Sequence, residues 1–168
     1  MQRVLRRLVL LSIILVSWLI EPSTGYDMLI IEENIEIEWY RMTNRSYYSI
    51  KVKVPNHYYI AFSYGGTHVN SDMLVLKADG TQSSYYDMWS YGYQEPERDS
   101  SGHYSGNTSY SSTTDTVIFN LQRYLNTYDD KDFVVDLDQP IRIGYAIREY
   151  DNEKLPDQSD WVGNFGSH

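Results

Sequence analysis

The sequence predicts an all-β fold, an antiparallel, immunoglobulin-like β-sandwich of about 8–10 short strands. Three observations lead there. Apolar and polar residues alternate at period two in one segment after another, as in IEIEWYRM at 35–42 and YYSIKVKV at 47–54. Turn formers separate these segments at fairly even spacing, among them Pro55-Asn56 and Asp79-Gly80. Past residue 25 no stretch carries amphipathic helical spacing, while 17 tyrosines supply large rings whose hydroxyls can stay in water, as a half-buried sheet requires.

Residues 1–25 read as a secretory signal peptide, leaving 26–168 as a single domain. Arg3, Arg6 and Arg7 precede an apolar run over 8–20, and the small residues Ser23, Thr24 and Gly25 follow. That run is shorter than the roughly 20 residues that span a bilayer, so an uncleaved anchor is the alternative to a cleaved leader. The expected location is therefore extracellular.

The first strand signals are DMLII at 27–31 and the segment at 35–42, where Ile35, Ile37 and Trp39 share one face. At 47–54, Ile50, Val52 and Val54 are expected inward and Lys51 and Lys53 outward; Pro55-Asn56 closes the strand. Strands at 58–64 and 72–78 flank a loop that holds Gly65, Gly66 and His68. Asp79-Gly80 then suggests a tight hairpin turn into a strand at 83–89. Residues 92–112 are rich in Gly, Ser and Tyr with almost no aliphatic residue, and read as a long loop. Order returns at 114–121, where Val117, Phe119 and Leu121 share a face, and continues in strands at 133–137 and 141–147. Beyond Arg148 periodicity fades, and packing is expected through Leu155, Trp161 and Phe165.

Composition excludes several functions. The net charge is −9, and it becomes −11 without Arg3, Arg6, Arg7 and Glu21, so a nucleic-acid backbone is repelled. With no cysteine, neither a disulfide framework nor thiolate chemistry is available. The four histidines show no HxH or HxxxH spacing that would mark zinc or copper. Ser111-Ser112 lack a nucleophile elbow, and no two acids stand out as a glycosidase pair. The chain is accordingly expected to be non-catalytic.

Several features suggest binding instead. Asp129, Asp130, Asp132, Asp136 and Asp138 offer oxygens to a hard cation such as calcium, although an EF-hand glycine loop is absent; Arg123 is expected to pair with one of them. Asn44-Arg45-Ser46 and Asn107-Thr108-Ser109 are glycosylation sequons. Tyr85, Tyr86, Trp89, Tyr91 and Tyr93, together with the tyrosines at 104 and 110, form aromatic stretches spaced by small residues. Such rings stack on carbohydrate or on an extracellular protein at low entropic cost.

With these segments placed, the chain resembles the DOMON family of β-sandwich modules, found in dopamine β-hydroxylase-like proteins and in the cytochrome part of cellobiose dehydrogenase. The resemblance rests on Trp39, IAFSYGG at 60–66, HVNSDMLVLKADG at 68–80, Pro96 and Asp99 in QEPERD, VIFNLQRYLNTYDDKDF at 117–133 and IRIGYAI at 141–147. It covers about residues 35–166. Haem-binding members of that family use a methionine in the first loop and a histidine near the C-terminal end. This chain has His68 at the first position and Asp160 or Trp161 at the second. The resemblance thus implies haem b only through His68, with Met73, His103 or His168 as the other axial ligand.

Three functions follow as expectations. The first is a secreted, glycosylated recognition module that binds carbohydrate or an extracellular protein through its tyrosine-rich loops. The second is a haem-carrying electron-transfer module using His68. The third is a structural subunit of an extracellular coat or fibre, a homo-oligomer joined through sheet edges.

Overall fold

The computed structural model describes residues 26–32, 35–41, 46–65, 69–92, 96–136 and 141–149. The segments read as signal peptide and C-terminal packing tail lie outside these residues. The ten strands are β1 (Tyr26–Glu32), β2 (Ile35–Arg41), β3 (Tyr47–Pro55), β4 (Tyr58–Tyr64), β5 (Ser71–Ala78), β6 (Ser84–Ser90), β7 (Glu97–Arg98), β8 (Tyr104–Ser111), β9 (Thr116–Tyr124) and β10 (Ile143–Glu149). They form two antiparallel five-stranded sheets, ordered β1-β2-β3-β9-β8 and β10-β4-β5-β6-β7. The expected all-β sandwich is the observed fold.

The alternation in the sequence decides which side chains meet between the sheets. Val52 stands between Ile37 and Phe119 in register, and Ile50 between Trp39 and Leu121. From the second sheet come Ile60, Phe62, Leu74, Leu76 and Ala78, and all of these except half-buried Trp39 are buried. Each fully buried aliphatic or aromatic chain contributes about 1.5–3 kcal/mol, so this shared face is the main source of stability. A smaller apolar cluster lies on the opposite side of the second sheet, where Tyr59, Ala61, Met73 and Val75 pack with Tyr86 and Met88.

Three local expectations need correction. Part of the region read as a loop is strand β8, an edge strand of mostly exposed polar residues paired to β9. Its backbone pairs without an apolar stripe, so alternation could not reveal it. Residues 133–136 form no strand: Val135 N–H donates to Leu125 O and Phe133 N–H to Asp72 Oδ2, bonds that fasten a loop. The connection at Asp79-Gly80 is a 3-10 turn over Gly80–Gln82, with φ −134° at Asp79 and +50° at Gly80. Only the glycine takes the left-handed angle, so the two-residue turn predicted there does not form.

Candidate functional site

One end of the sandwich holds charge in its interior. Arg123, two residues beyond Leu121 on β9, keeps the inward direction of Val117, Phe119 and Leu121 and is 1% exposed. Its register neighbours are Tyr48 on β3 and Tyr104 on β8. From the other sheet, Asp72 at the start of β5 brings Oδ2 to 2.5 Å from Arg123 Nη2. The same oxygen accepts the Phe133 N–H at 2.8 Å, and Arg123 Nη1 donates to Phe133 O at 3.0 Å. Asp132 Oδ2 lies 3.3 Å from Arg123 Nη2, so the expected pairing of Arg123 with a carboxylate of its corner is present, alongside a closer one to Asp72.

Tyrosines close this pocket of charge. The Tyr48 and Tyr64 hydroxyls are 2.6 Å apart, and Tyr104 Oη donates to Tyr64 Oη at 2.9 Å. The guanidinium carbon sits 5.3 Å from the Tyr64 ring centre and 5.5 Å from that of Tyr104, within cation–π range. Phe133 stacks on Tyr64 at 5.7 Å. Desolvation pushes the phenols of Tyr64 and Tyr104 well above their ordinary pKa, and that of Tyr48 upward. Burial likewise pushes the Asp72 carboxyl up to about 7, against the pull of Arg123 and the Phe133 N–H.

Beside this cluster a cleft of about 480 Å³ opens between β6 and the start of β8, lined in part by Tyr85, Tyr86, Asp87, Arg98, Asp99 and Tyr104. The guanidinium of Arg98 covers the Tyr86 ring at 5.1 Å. Asp87, on the inward face of β6, accepts the His103 N–H through Oδ2 at 2.8 Å. Burial raises its carboxyl to about 6, opposed by that N–H and reinforced by Asp132. His103 Nδ1 approaches Asp132 Oδ2 at 2.8 Å.

The sequence-predicted residues divide accordingly. Tyr85 and Tyr86 line the cleft. Trp89 packs edge-on against Tyr91, whose ring lies 5.6 Å from Lys131 Nζ, so these two make a separate aromatic contact and do not line the cleft. Met73 is 2% exposed within the apolar cluster on the outer side of its sheet. Asn107 is exposed on β8. Of the acidic corner, Asp132 joins Asp87 and His103 in one group, and joins Asp99 and Asp129 in another. His68, Tyr93, Asn44, Asp138, Asp160, Trp161 and His168 lie outside the described residues.

Sequence reading missed the roles of Asp72, Asp87 and Arg98. A signal for the first two was present: in SDMLVL and YYDMW the acids occupy the same parity as Leu74 and Tyr85, the inward face. Arg98 sits on a two-residue strand with no periodicity to read.

Among the described residues, no helix is long and apolar enough to cross a membrane. No curated protein matches the chain. Among solved structures it is similar to the cytochrome domain of Myriococcum thermophilum cellobiose dehydrogenase, with 10% identity and a TM-score of 0.46 over 90% of this chain and 96% of that one. The DOMON domain family matches residues 31–148, from the first strand to the last and across every residue of the buried charge cluster. The chain belongs to the DOMON domain family.

Proposed function

We propose that this DOMON chain is a secreted, non-catalytic recognition module that binds carbohydrate or an extracellular protein, and that carbohydrate is the ligand the cleft suits better. The observation carrying this reading is the lining: Tyr85 and Tyr86 with Arg98, Asp99 and Ser100 around one opening of about 480 Å³. The Tyr85 ring can stack on the apolar side of a sugar, while Arg98, held over Tyr86, and the Asp99 carboxylate can hydrogen-bond its hydroxyls. That volume lies within the roughly 300–1,000 Å³ common for small-ligand pockets. The exposed sequon at Asn107 suits an extracellular setting.

A glycan array, paired with pull-down from extracellular protein, tests this. The folded chain is expected to retain a glycan, and Tyr86→Ala or Arg98→Ala to weaken it about tenfold, as for a typical anchor residue, with circular dichroism unchanged. A folded wild-type chain that retains no glycan overturns the carbohydrate reading; retention of a protein partner alone would select the other ligand class.

The haem reading is the alternative. An axial methionine must present its sulfur to an open face of the macrocycle. Met73 is enclosed with Tyr59, Ala61, Val75 and Met88, so among the described candidates His103 suits the second axial position better than Met73. Reconstitution with haem b and measurement of the Soret band distinguishes the two readings.

A further inference from the structure

We propose that Asp87, His103 and Asp132 form a binding site for a divalent transition-type cation, Zn²⁺ or Mn²⁺, through one imidazole nitrogen and two carboxylates. Geometry is the first support. His103 Nδ1 lies 2.8 Å from Asp132 Oδ2 and 3.6 Å from Asp87 Oδ2. One ligand atom from each of the three residues falls within 4.8 Å of the others. Metal–ligand bonds of about 2.0–2.2 Å in a tetrahedral arrangement separate neighbouring ligand atoms by roughly 3.3–3.6 Å; the Asp87 separation matches this, and the His103–Asp132 pair would open slightly to admit an ion.

Unmet bonding is the second. The Asp87 and Asp132 side chains are 2% and 3% exposed. Yet Asp87 Oδ1, Asp132 Oδ2 and His103 Nδ1 are buried without a hydrogen-bond partner. Nδ1 and Asp132 Oδ2 stand at hydrogen-bonding distance but are not aligned for an N–H to point from one to the other. Buried polar atoms nearly always have a hydrogen-bond partner, so one unbonded atom on each of these three clustered residues leaves coordination that an ion would use.

Charge is the third. Among the described residues, Asp72, Asp87 and Asp132 face one permanent cation, Arg123, whose closest contact is with Asp72. A divalent ion supplies two positive charges against these carboxylates. Protonated His103 paired with Asp132 is the competing arrangement, and it supplies only one.

The nitrogen ligand selects the class of ion. Calcium and magnesium favour sites built wholly of oxygen, whereas mixed imidazole–carboxylate sets suit zinc and manganese. His103 is 21% exposed at its side chain, leaving a solvent side from which water can complete the coordination. Asp99 and Asp129 gather near Asp132 as further carboxylates that attract a cation. The site adjoins the cleft through Asp87 and Asp99, but it does not rest on a carbohydrate ligand and survives the failure of that reading.

The experiment is calorimetric titration of the untagged, chelator-treated chain with Zn²⁺, Mn²⁺, Ca²⁺ and Mg²⁺, repeated on His103→Gln and Asp132→Asn. Expected results are one equivalent of Zn²⁺ or Mn²⁺ per chain, a raised thermal midpoint, and affinity reduced about tenfold or more in His103→Gln. Because Asp132→Asn also alters the loop's contact with Arg123, Mn²⁺ broadening of the His103 imidazole resonances in the unaltered chain gives an independent readout. Absence of Zn²⁺ and Mn²⁺ binding overturns the proposal, as does binding that His103→Gln leaves unchanged with no broadening at His103.

Discussion

Arg123 Nη2 and Asp72 Oδ2 meet at 2.5 Å across the sandwich, so one ion pair joins β9 of the first sheet to β5 of the second. Both side chains are almost wholly buried, at 0% and 2% exposure. Burying the two charges was costly, and the pair adds little net stability over an apolar pair of similar volume; removing one partner, however, strands the other. Arg123→Met is therefore expected to destabilise the fold by about 3–5 kcal/mol, whereas Asp72→Leu combined with Arg123→Met recovers most of that loss. Urea unfolding of the two variants checks it. A loss below about 1 kcal/mol in Arg123→Met, the range of an exposed pair, would place the guanidinium in water.

Tyrosine ionisation should reveal the same interior. Desolvation raises Tyr59 to about 12, holds Tyr64 and Tyr104 well above the ordinary value, and raises Tyr48. A folded pKa above the unfolded one gives stability that is fully present below about pH 10, the ordinary tyrosine value, and is lost as pH rises through the folded values. Absorbance at the tyrosinate band should show these four of the 17 tyrosines ionising together with unfolding. Smooth titration of all tyrosines near pH 10, with the fold intact, would contradict their burial.

Gly106 supplies a third test. A Cβ built there would lie 2.0 Å from the Asn120 carbonyl oxygen and 2.9 Å from Leu121 Cα, because β8 and β9 approach closely at this point. Gly106→Ala should cost of the order of 1–3 kcal/mol, since backbone atoms must move. Gly102→Ala, with nothing within 4 Å of its Cβ, should be nearly neutral. Equal thermal midpoints for the two variants would show that β8 lies farther from β9.

The main core was legible because its residues obey a local rule. Ile50, Val52 and Val54 on β3, and Val117, Phe119 and Leu121 on β9, alternate as written and are all buried. The charge cluster obeys no local rule, since Asp72 and Arg123 are 51 residues apart and meet only when the sheets stack. Parity alone hinted at it, by placing an acid on the inward side of two strands and an arginine on that of a third. His103 lies in the loop that ends where β8 begins, and no local pattern places it beside Asp87 and Asp132.

That strand has one more consequence. An unpaired β edge invites another chain to hydrogen-bond along it, which is how sheet proteins become filaments. Among the described residues β8 is such an edge, and its exposed Asn107 belongs to a sequon. A glycan attached there would set a hydrated branch against the free margin of the first sheet, fencing it from neighbouring molecules, and chain-to-chain growth would be left to the remaining margins.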